Sequence, residues 1–483
     1  MTVRIIDGNA HEGPGPGSSP TIFDSPDAPA DPQSLVELEG GLRGADLAAP
    51  PVVLPDFHHK ANMEMPSSIA VATHGTIRPT LTSASVNCGM ALIALDLERP
   101  SVVAVADFYR RVRERYPYPR NARRDLTAGE VLRCAVEGGD FAVDRFGVDA
   151  VDIDRVEERG RLDLEPYGGA DRLRKTLPWL VVQLSRMRFG NIGPSNHFVE
   201  LQEVEELIDP PLAVSLGLQT GRVTLQFHGG GGVLAGEVGN LFGARKHRPL
   251  PLQAQMSVQK PLFHLASARS IEELSRRWSL YFTKASPSIP LDGAEGRRVM
   301  LANAAAMNYG FAFRLATYSS LREMARRAFG PHASRLIVDS PHNSMYEEQV
   351  GGRPAVVHRH NSCRAYPASR LVGHPAFAGT GQPLLLPGTN RTSSYVCVAA
   401  EGAAKSLFSA CHGSGMIIEH FERRGRSGAD PRRRITQRFR YSDAAPIEVP
   451  QLDDRGVDEA LRILVSNGLV RPVARLRPFA VLN

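Results

Sequence analysis

Four histidines sit where extended segments give way to Gly, Pro, Ser or Asn turns. His228 ends the alternating run VTLQF and enters QFHGGGG, His342 follows SRLIVD in SPHNS, His197 precedes an alternating run in GPSNHFVELQEV, and His412 lies in SACHGSG. Side chains at such junctions are held by a rigid scaffold and face an open loop, where functional groups concentrate. Cys88, in SVNCGMALIAL, stands at the mouth of another apolar run. Alone it reads as a buried thiol. Beside several strand-end histidines it is a candidate thiolate ligand, because imidazole and thiolate together suit borderline metals such as Zn, Mn, Fe or Co. No HxxxH-type spacing ties these residues together, so any shared site must be assembled by the fold. The run Gly229–Gly232 either brings backbone against a phosphate or makes a tight turn. No GK[ST] follows it and no GxGxxG opens a helix, which excludes a Walker loop and a dinucleotide fingerprint.

The elements that must position these residues follow from periodicity. Val223–Phe227, Ser334–Asp339, Ser393–Ala399 and Val473–Leu482 predict strands. Ser101–Arg115 repeats its apolar residues at roughly 3.6 and predicts a helix, as does Asp453–Asn467. Ala294–Phe329, rich in Ala, Met, Arg and Leu, predicts one long or broken helix. Helices and strands are interspersed without regular βαβ alternation, which predicts an α+β fold of mixed sheets flanked by helices. Residues 10–33 are rich in Pro, Gly, Ser and Asp and carry almost no apolar periodicity. They predict a mobile or irregular arm over residues 1–34, with one folded domain from 35 to 483.

Of the 483 residues, 42% are apolar and 22% charged, the balance of an ordinary globular protein. That excludes a disordered chain, a coiled coil and a collagen-like fibre. No stretch approaches the roughly 18 uninterrupted apolar residues of a membrane helix, and no basic-then-apolar leader opens the chain. Five widely spaced cysteines without a CxxC pair argue against a disulfide framework and for a reducing cytoplasm. The net charge of +6 permits a polyanionic partner without requiring one. Two stretches concentrate the basic residues. Tyr109–Arg124 interleaves Tyr109, Tyr116 and Tyr118 with arginines, and Arg423–Arg440 holds eight arginines. Each reads either as a solvated surface or as a phosphate track, the tyrosines then offering faces on which bases stack.

Taken in order, LPDFHH, ASVNCGM, GPSNHFVE, QFHGGGG, SPHNSMYEE, VHRHNSCRAYP, LPGTNRTSSYV, CHGSG and the terminal VARLRPFAV resemble the RtcB family of RNA ligases, from about Pro51 to the C-terminus. The resemblance implies a single large RtcB-like domain. It implies an enzyme of RNA repair or tRNA splicing that uses GTP and Mn2+ to join an RNA 3′-phosphate or 2′,3′-cyclic phosphate to a 5′-hydroxyl. It leaves room for an archease-like activator and implies no membrane. By the same resemblance His412 attacks the GTP α-phosphate and forms a covalent histidine–GMP. Cys88 bridges two metal ions, His228 and His342 complete one site, and His197 serves the other. Asn196, Glu200, Asn343, Thr389 and Ser394 line the nucleotide, and Asp56 and His58 match a PDxH segment near the site. The residue types suit that chemistry. A neutral imidazole is a competent nucleophile, and cations offset the negative charge that shields a phosphorus.

The sequence departs from the family pattern at several positions. Ser85 stands where the D-x-x-C-G motif has its carboxylate, Gly232 where HSGSRG has arginine, and Met416 where HGAGR has arginine. His360 replaces a usual lysine, and Leu482 and Asn483 stand where a lysine–glycine pair is usual. The expected results are one tightly held ion, a second that is weak or arrives with nucleotide, and a looser grip on phosphate and guanine. His360 restores charge only if protonated. These departures keep open a second reading, a metal-dependent phosphodiesterase or nucleotidyl transferase with a different acceptor. A third, an RNA-binding protein without catalysis, fits poorly with a complete Cys/His set.

Overall fold

The VTLQF alternation lies inside the strand Arg222–Gly229, in the interior of a nine-stranded sheet. The computed structural model describes residues 19–483 except 60–62, 119–122, 194–195, 244, 246–248, 284–286 and 444. Seven strands of this sheet follow the order Pro383–Leu386, Ser394–Ala399, Val470–Leu482, Phe198–Leu207, Arg222–Gly229, Gly89–Glu98, Ser334–Pro341, every neighbouring pair antiparallel. Ile435–Phe439 runs parallel to Val470–Leu482 and carries Ile447–Pro450 beside it. A second sheet of five strands orders Thr21–Ile22, Val52–His58, Ser67–Thr73, Arg353–His360 and Asn343–Val350. His342 is the single residue between the edge strand Ser334–Pro341 of the first sheet and Asn343–Val350 of the second.

Ala294–Phe329 is one unbroken helix of 36 residues. Ala, Met and Phe surround its whole circumference, and it is buried on every side from Val299 to Tyr318. A helix apolar all round belongs at the centre of a domain. This one packs against Val102–Arg115, Ala128–Glu137, Gly139–Phe146 and Gly232–Leu241. Each fully buried Leu, Phe or Met side chain along it contributes roughly 1.5–3 kcal/mol. At Gly310 an added Cβ would lie 2.7 Å from Asn87, so the missing side chain lets the loop carrying Cys88 rest directly on the helix. The α+β architecture of mixed sheets and flanking helices is the one expected. Among the described residues no helix is long and apolar enough to cross a membrane.

Two expectations need correction. The boundary between residues 34 and 35 falls inside the helix Pro32–Leu42. Asp31 caps that helix, its Oδ2 accepting from Ser34 N at 2.8 Å, and Thr21–Ile22 pairs with Val52–Val53. Phe23 is buried in a core cluster. Caps and one anchoring ring hold this segment, and neither shows as periodicity. Residues 1–18 of the expected arm lie outside the described residues. The second correction concerns the tyrosines. Tyr109 and Tyr116 are core residues. Tyr109 donates its hydroxyl to the carbonyls of Val199 and Ala480 and stacks on Phe439 with centroids 4.5 Å apart. Of the three, Tyr118 alone is exposed. Much of the basic charge is also committed. Arg110 and Arg111 pair with Asp107, Arg426 with Asp27, and Arg432 and Arg434 with Glu205. Residues 119–122 of the first basic stretch are outside the described ones.

Candidate metal and nucleotide site

Four consecutive antiparallel strands bring four of the singled-out residues to one edge. Along the order Phe198–Leu207, Arg222–Gly229, Gly89–Glu98, Ser334–Pro341, neighbours alternately start and end at the same side of the sheet. His197 precedes the first strand, His228 lies at the end of the second, Cys88 precedes the third and His342 follows the fourth. The register is tight, with Phe198 opposite His228, Gly89 opposite Gly229, and Gly89 opposite Pro341. His412 arrives from elsewhere. It follows the short strand Ser409–Cys411, which pairs with Ser362–Arg364, and Ser362 N–H donates to the His342 carbonyl at 3.0 Å.

The side chains converge. Cys88 Sγ lies 3.2 Å from His228 Nε2 and 3.6 Å from His197 Nε2. Ligand atoms of Cys88, His228 and His342 all fall within 4.8 Å of one another, and all three residues are buried. The His412 ring stacks on His342, centroids 3.6 Å apart and planes 18° from parallel, and lies 5.3 Å from His228. His228 Nδ1 is 2.7 Å from the Asn196 carbonyl. A proton on Nδ1 makes that hydrogen bond and leaves Nε2 free to face the sulfur, the usual way an outer partner orients a ligating imidazole. Burial, with His412 close by, holds His228 and His342 well below the ordinary imidazole range, so both are neutral. Burial pushes the Cys88 thiol up to about 12, opposed in part by Arg314. The donor set therefore fits a borderline divalent cation, which would be held by Cys88, His228 and His342 and would expel the thiol proton on binding.

A buried ion pair sets the position of Cys88. Arg314, fully buried on the long helix, forks onto Asp339 at 2.6–3.1 Å and reaches Asn87 Oδ1 at 2.6 Å and the Asn87 carbonyl. It thereby ties the loop just before Cys88 to the strand just before His342. None of Asn87, Arg314 and Asp339 stood out in the sequence, because one arginine among the several of this helix reads as surface charge.

Two of the residues expected around a nucleotide, Glu200 and Ser394, join a polar strip on the sheet. Strand alternation puts His228, Gln226 and Thr224 on one face, opposite Phe198, Glu200 and Gln202. Gln202 Nε2 donates to Glu200 Oε1 at 2.7 Å, to Gln226 Oε1 at 3.1 Å and to Ser394 Oγ at 3.2 Å. Ser394 Oγ also accepts from Gly388 N at 3.1 Å, next to Thr389. Burial raises the Glu200 carboxyl to about 8. Sequence reasoning missed Gln202 and Gln226, although polar residues two apart in VELQEV signal a polar inner face. Asn343 Oδ1 accepts from Asn361 N beside His342. Thr389 bonds within its own turn, to Thr392 and Arg391, and the Asn196 side chain is exposed. Asp56, at φ 65°, accepts from Met416 N at 2.7 Å and so caps the helix Gly415–Arg423 that follows His412. His58 Nδ1 lies 2.7 Å from the Asp56 carbonyl. His360 is buried and its imidazole is pushed down to about 3 by that burial, so it restores no charge.

A family model described as tRNA-splicing ligase RtcB matches residues 45–483. The chain belongs to the RtcB family. It is similar to the tRNA-splicing ligase RtcB of Thermococcus kodakarensis, 28% identical over 461 residues that cover 89% of this chain and 86% of that protein. The RNA-splicing ligase RtcB of Mycobacterium tuberculosis is 27% identical over 451 residues, 89% of this chain and 96% of the relative. The tRNA-splicing ligase RtcB of Pyrococcus horikoshii is 28% identical over 421 residues, 82% of this chain but 44% of that protein, so the chain spans less than half its length. Against the RtcB pattern the departures take physical form. Ser85 is exposed and lines a hollow beside His197, and no carboxylate of the described residues lines that hollow. Gly232 has φ 76°, and an added Cβ would sit 2.7 Å from Phe313 and Tyr309.

Proposed function

We propose that this RtcB protein is an RNA ligase of RNA repair or tRNA splicing that joins 3′-phosphate or 2′,3′-cyclic phosphate ends to 5′-hydroxyl ends through GTP. The observation that supports the reading most is the stacking of His412 on His342 at the mouth of the Cys88–His228–His342 cluster. An imidazole nitrogen of His412 attacks the α-phosphorus of GTP. The new N–P bond forms as the bond to the β-phosphate oxygen breaks, and pyrophosphate leaves. The GMP group passes to the RNA 3′-phosphate, which frees His412. The 5′-hydroxyl then attacks that phosphate, loses its proton and displaces GMP, while a cyclic phosphate is first opened by water. Mn2+ ions held at Cys88, His228, His342 and His197 would supply positive charge against the phosphate oxygens. Stacking on a buried neutral ring fixes the orientation of His412, and Asp56 holds the turn that follows it. A cytoplasmic location and an archease-like activator complete the proposal.

The test is incubation with α-labelled GTP and Mn2+, followed by denaturing electrophoresis. An acid-labile label on the parent, absent from His412→Ala, is expected, together with joining of a cyclic-phosphate RNA to a 5′-hydroxyl RNA. No label with GTP or any other nucleotide would sink the proposal. The carboxylate-free hollow at Ser85 favours a second reading, nucleotidyl transfer to a different acceptor. Labelling without RNA joining would select it.

A further inference from the structure

We propose that Arg188 is the guanidinium that grips a terminal phosphate of the RNA, in the hollow on the His197 side of the cluster. The proposal rests on the ligase reading and assigns a residue that the reading leaves without a role. The hollow, about 190 Å³, is lined by Ser85, Arg188, Asn191, His197, Phe313 and the glycines 230–232. That is room for about six waters, hence for a phosphate with part of its ribose.

The lining carries the chemistry of an anion site. Arg188 is half-buried, and its side chain makes no hydrogen bond or ion pair with the described residues. Its Nε is enclosed and unsatisfied. Arg186, two residues earlier, is by contrast spent on Gln183 and the Leu126 carbonyl. The Asn191 Oδ1 is likewise buried without a partner, and a side-chain amide can present nitrogen instead. No acidic residue of the described ones lines the hollow to neutralise the guanidinium. The helix Gly232–Leu241 starts in this wall with Gly231 as its cap residue, and no side chain caps it. Its first amide N–H groups thus add donors of the kind that bind oxyanions.

The backbone is built to hold Arg188 there. Its φ is 59°, in the left-handed region that non-glycine residues avoid. Both flanks are anchored, Arg188 N–H on the Arg123 carbonyl at 3.1 Å and Phe189 N–H on Asp125 Oδ2 at 2.9 Å. The Phe189 ring packs edge-on against Tyr309 and Phe313. Position 232 is closed to any side chain by those same two rings, which leaves position 188 to supply the charge. The geometry also separates two phosphates. His412 lies on the His342 side, where it lines a hollow with Met90 and Leu384, whereas Arg188 lies on the His197 side of the shared Cys88. The nucleotide's reacting phosphate belongs beside His412, and the RNA end belongs beside Arg188.

The experiment compares binding of two fluorescent RNAs of one sequence, ending in 3′-phosphate or 3′-hydroxyl, to the full chain with Mn2+ and no nucleotide. The parent is expected to prefer the phosphorylated end about tenfold, as loss of a charge-assisted bidentate contact implies. Arg188→Gln is expected to bind both ends equally, Arg188→Lys to keep part of the preference, and inorganic phosphate to erase it in the parent. A folded Arg188→Gln with the parental preference overturns the proposal. So does an unchanged RNA preference with weakened GTP binding, which would move the site to the nucleotide. Should Arg188→Gln not fold, a parent that shows no preference, or one that inorganic phosphate leaves intact, overturns it equally. Labelling of the parent by GTP judges the ligase reading separately. Label without a 3′-phosphate preference defeats the Arg188 assignment alone, and an Arg188-dependent preference without label defeats the ligase reading alone.

Discussion

Replacing Arg314 by Met should cost the protein several degrees of thermal stability, and the deficit should depend on pH. Arg314 and Asp339 have side chains 0% and 1% exposed, joined by three contacts of 2.6–3.1 Å. Removing one partner of such a pair leaves a dry, uncompensated charge and costs roughly 3–5 kcal/mol. At about 2 °C per kcal/mol for a large domain, the midpoint should fall by about 6–10 °C. Burial already raises the Asp339 carboxyl, and Arg314 is what pulls it down. Without Arg314 only the upward push remains. A carboxyl whose folded pKa lies above its unfolded value loses stability as pH rises between the two. The deficit should therefore widen as pH rises above the ordinary carboxyl value of 3.8 and narrow on acidification. The double variant Arg314→Met, Asp339→Leu removes both charges, and its stability should return to within about 2 kcal/mol of the parent. Its Asn87 still lacks the guanidinium, so Co2+ affinity, read from the thiolate charge-transfer band, should stay about tenfold below the parent. A single-variant midpoint drop under about 2 °C, or a deficit flat with pH, would refute the assignment of this pair as the anchor of the Cys88 loop.

Three further outcomes are expected. In metal-free protein Glu200→Gln should gain thermal stability relative to the parent as pH rises from the ordinary carboxyl value of 4.5 towards about 8, at up to about 1.4 kcal/mol per unit, because the raised carboxyl alone loses stability over that window; parallel melting curves at every pH would contradict this. Gly232→Ala should destabilise by about 1–3 kcal/mol in denaturant titration, since the φ of 76° and two aromatic edges at 2.7 Å exclude a methyl group. Elemental analysis of the nucleotide-free parent should find one tightly held ion per chain, and Ser85→Asp should add a second by placing a carboxylate beside His197; two stoichiometric ions in the parent would refute the reasoning.

Much of the scaffold was legible because its signals are local. The 36-residue helix and the strands ending at His228, His342 and the C-terminus all carry their period in adjacent residues, and the structure places them where that period predicted. The candidate chemistry was legible as residue types at segment ends, and its grouping came from a family resemblance. What escaped were features made by contact between distant segments. Phe23 and Asp31 secure a stretch whose composition reads as disordered, Tyr109 and Tyr116 turn inward from an arginine-rich helix, and His360 is neutral because the sheet encloses it.

Residue identity alone settled which donors exist: one thiol with imidazoles at strand ends, a serine where a carboxylate is usual, and a glycine where an arginine is usual. Only the antiparallel order of four strands brings residues 88, 197, 228 and 342 to one edge, and only the pairing of Ser409–Cys411 with Ser362–Arg364 lays His412 on His342. The physical reason is range. Backbone preference and hydrophobic period act over a few residues, whereas burial, ion pairing and the protonation states that follow depend on neighbours separated by hundreds of positions along the chain.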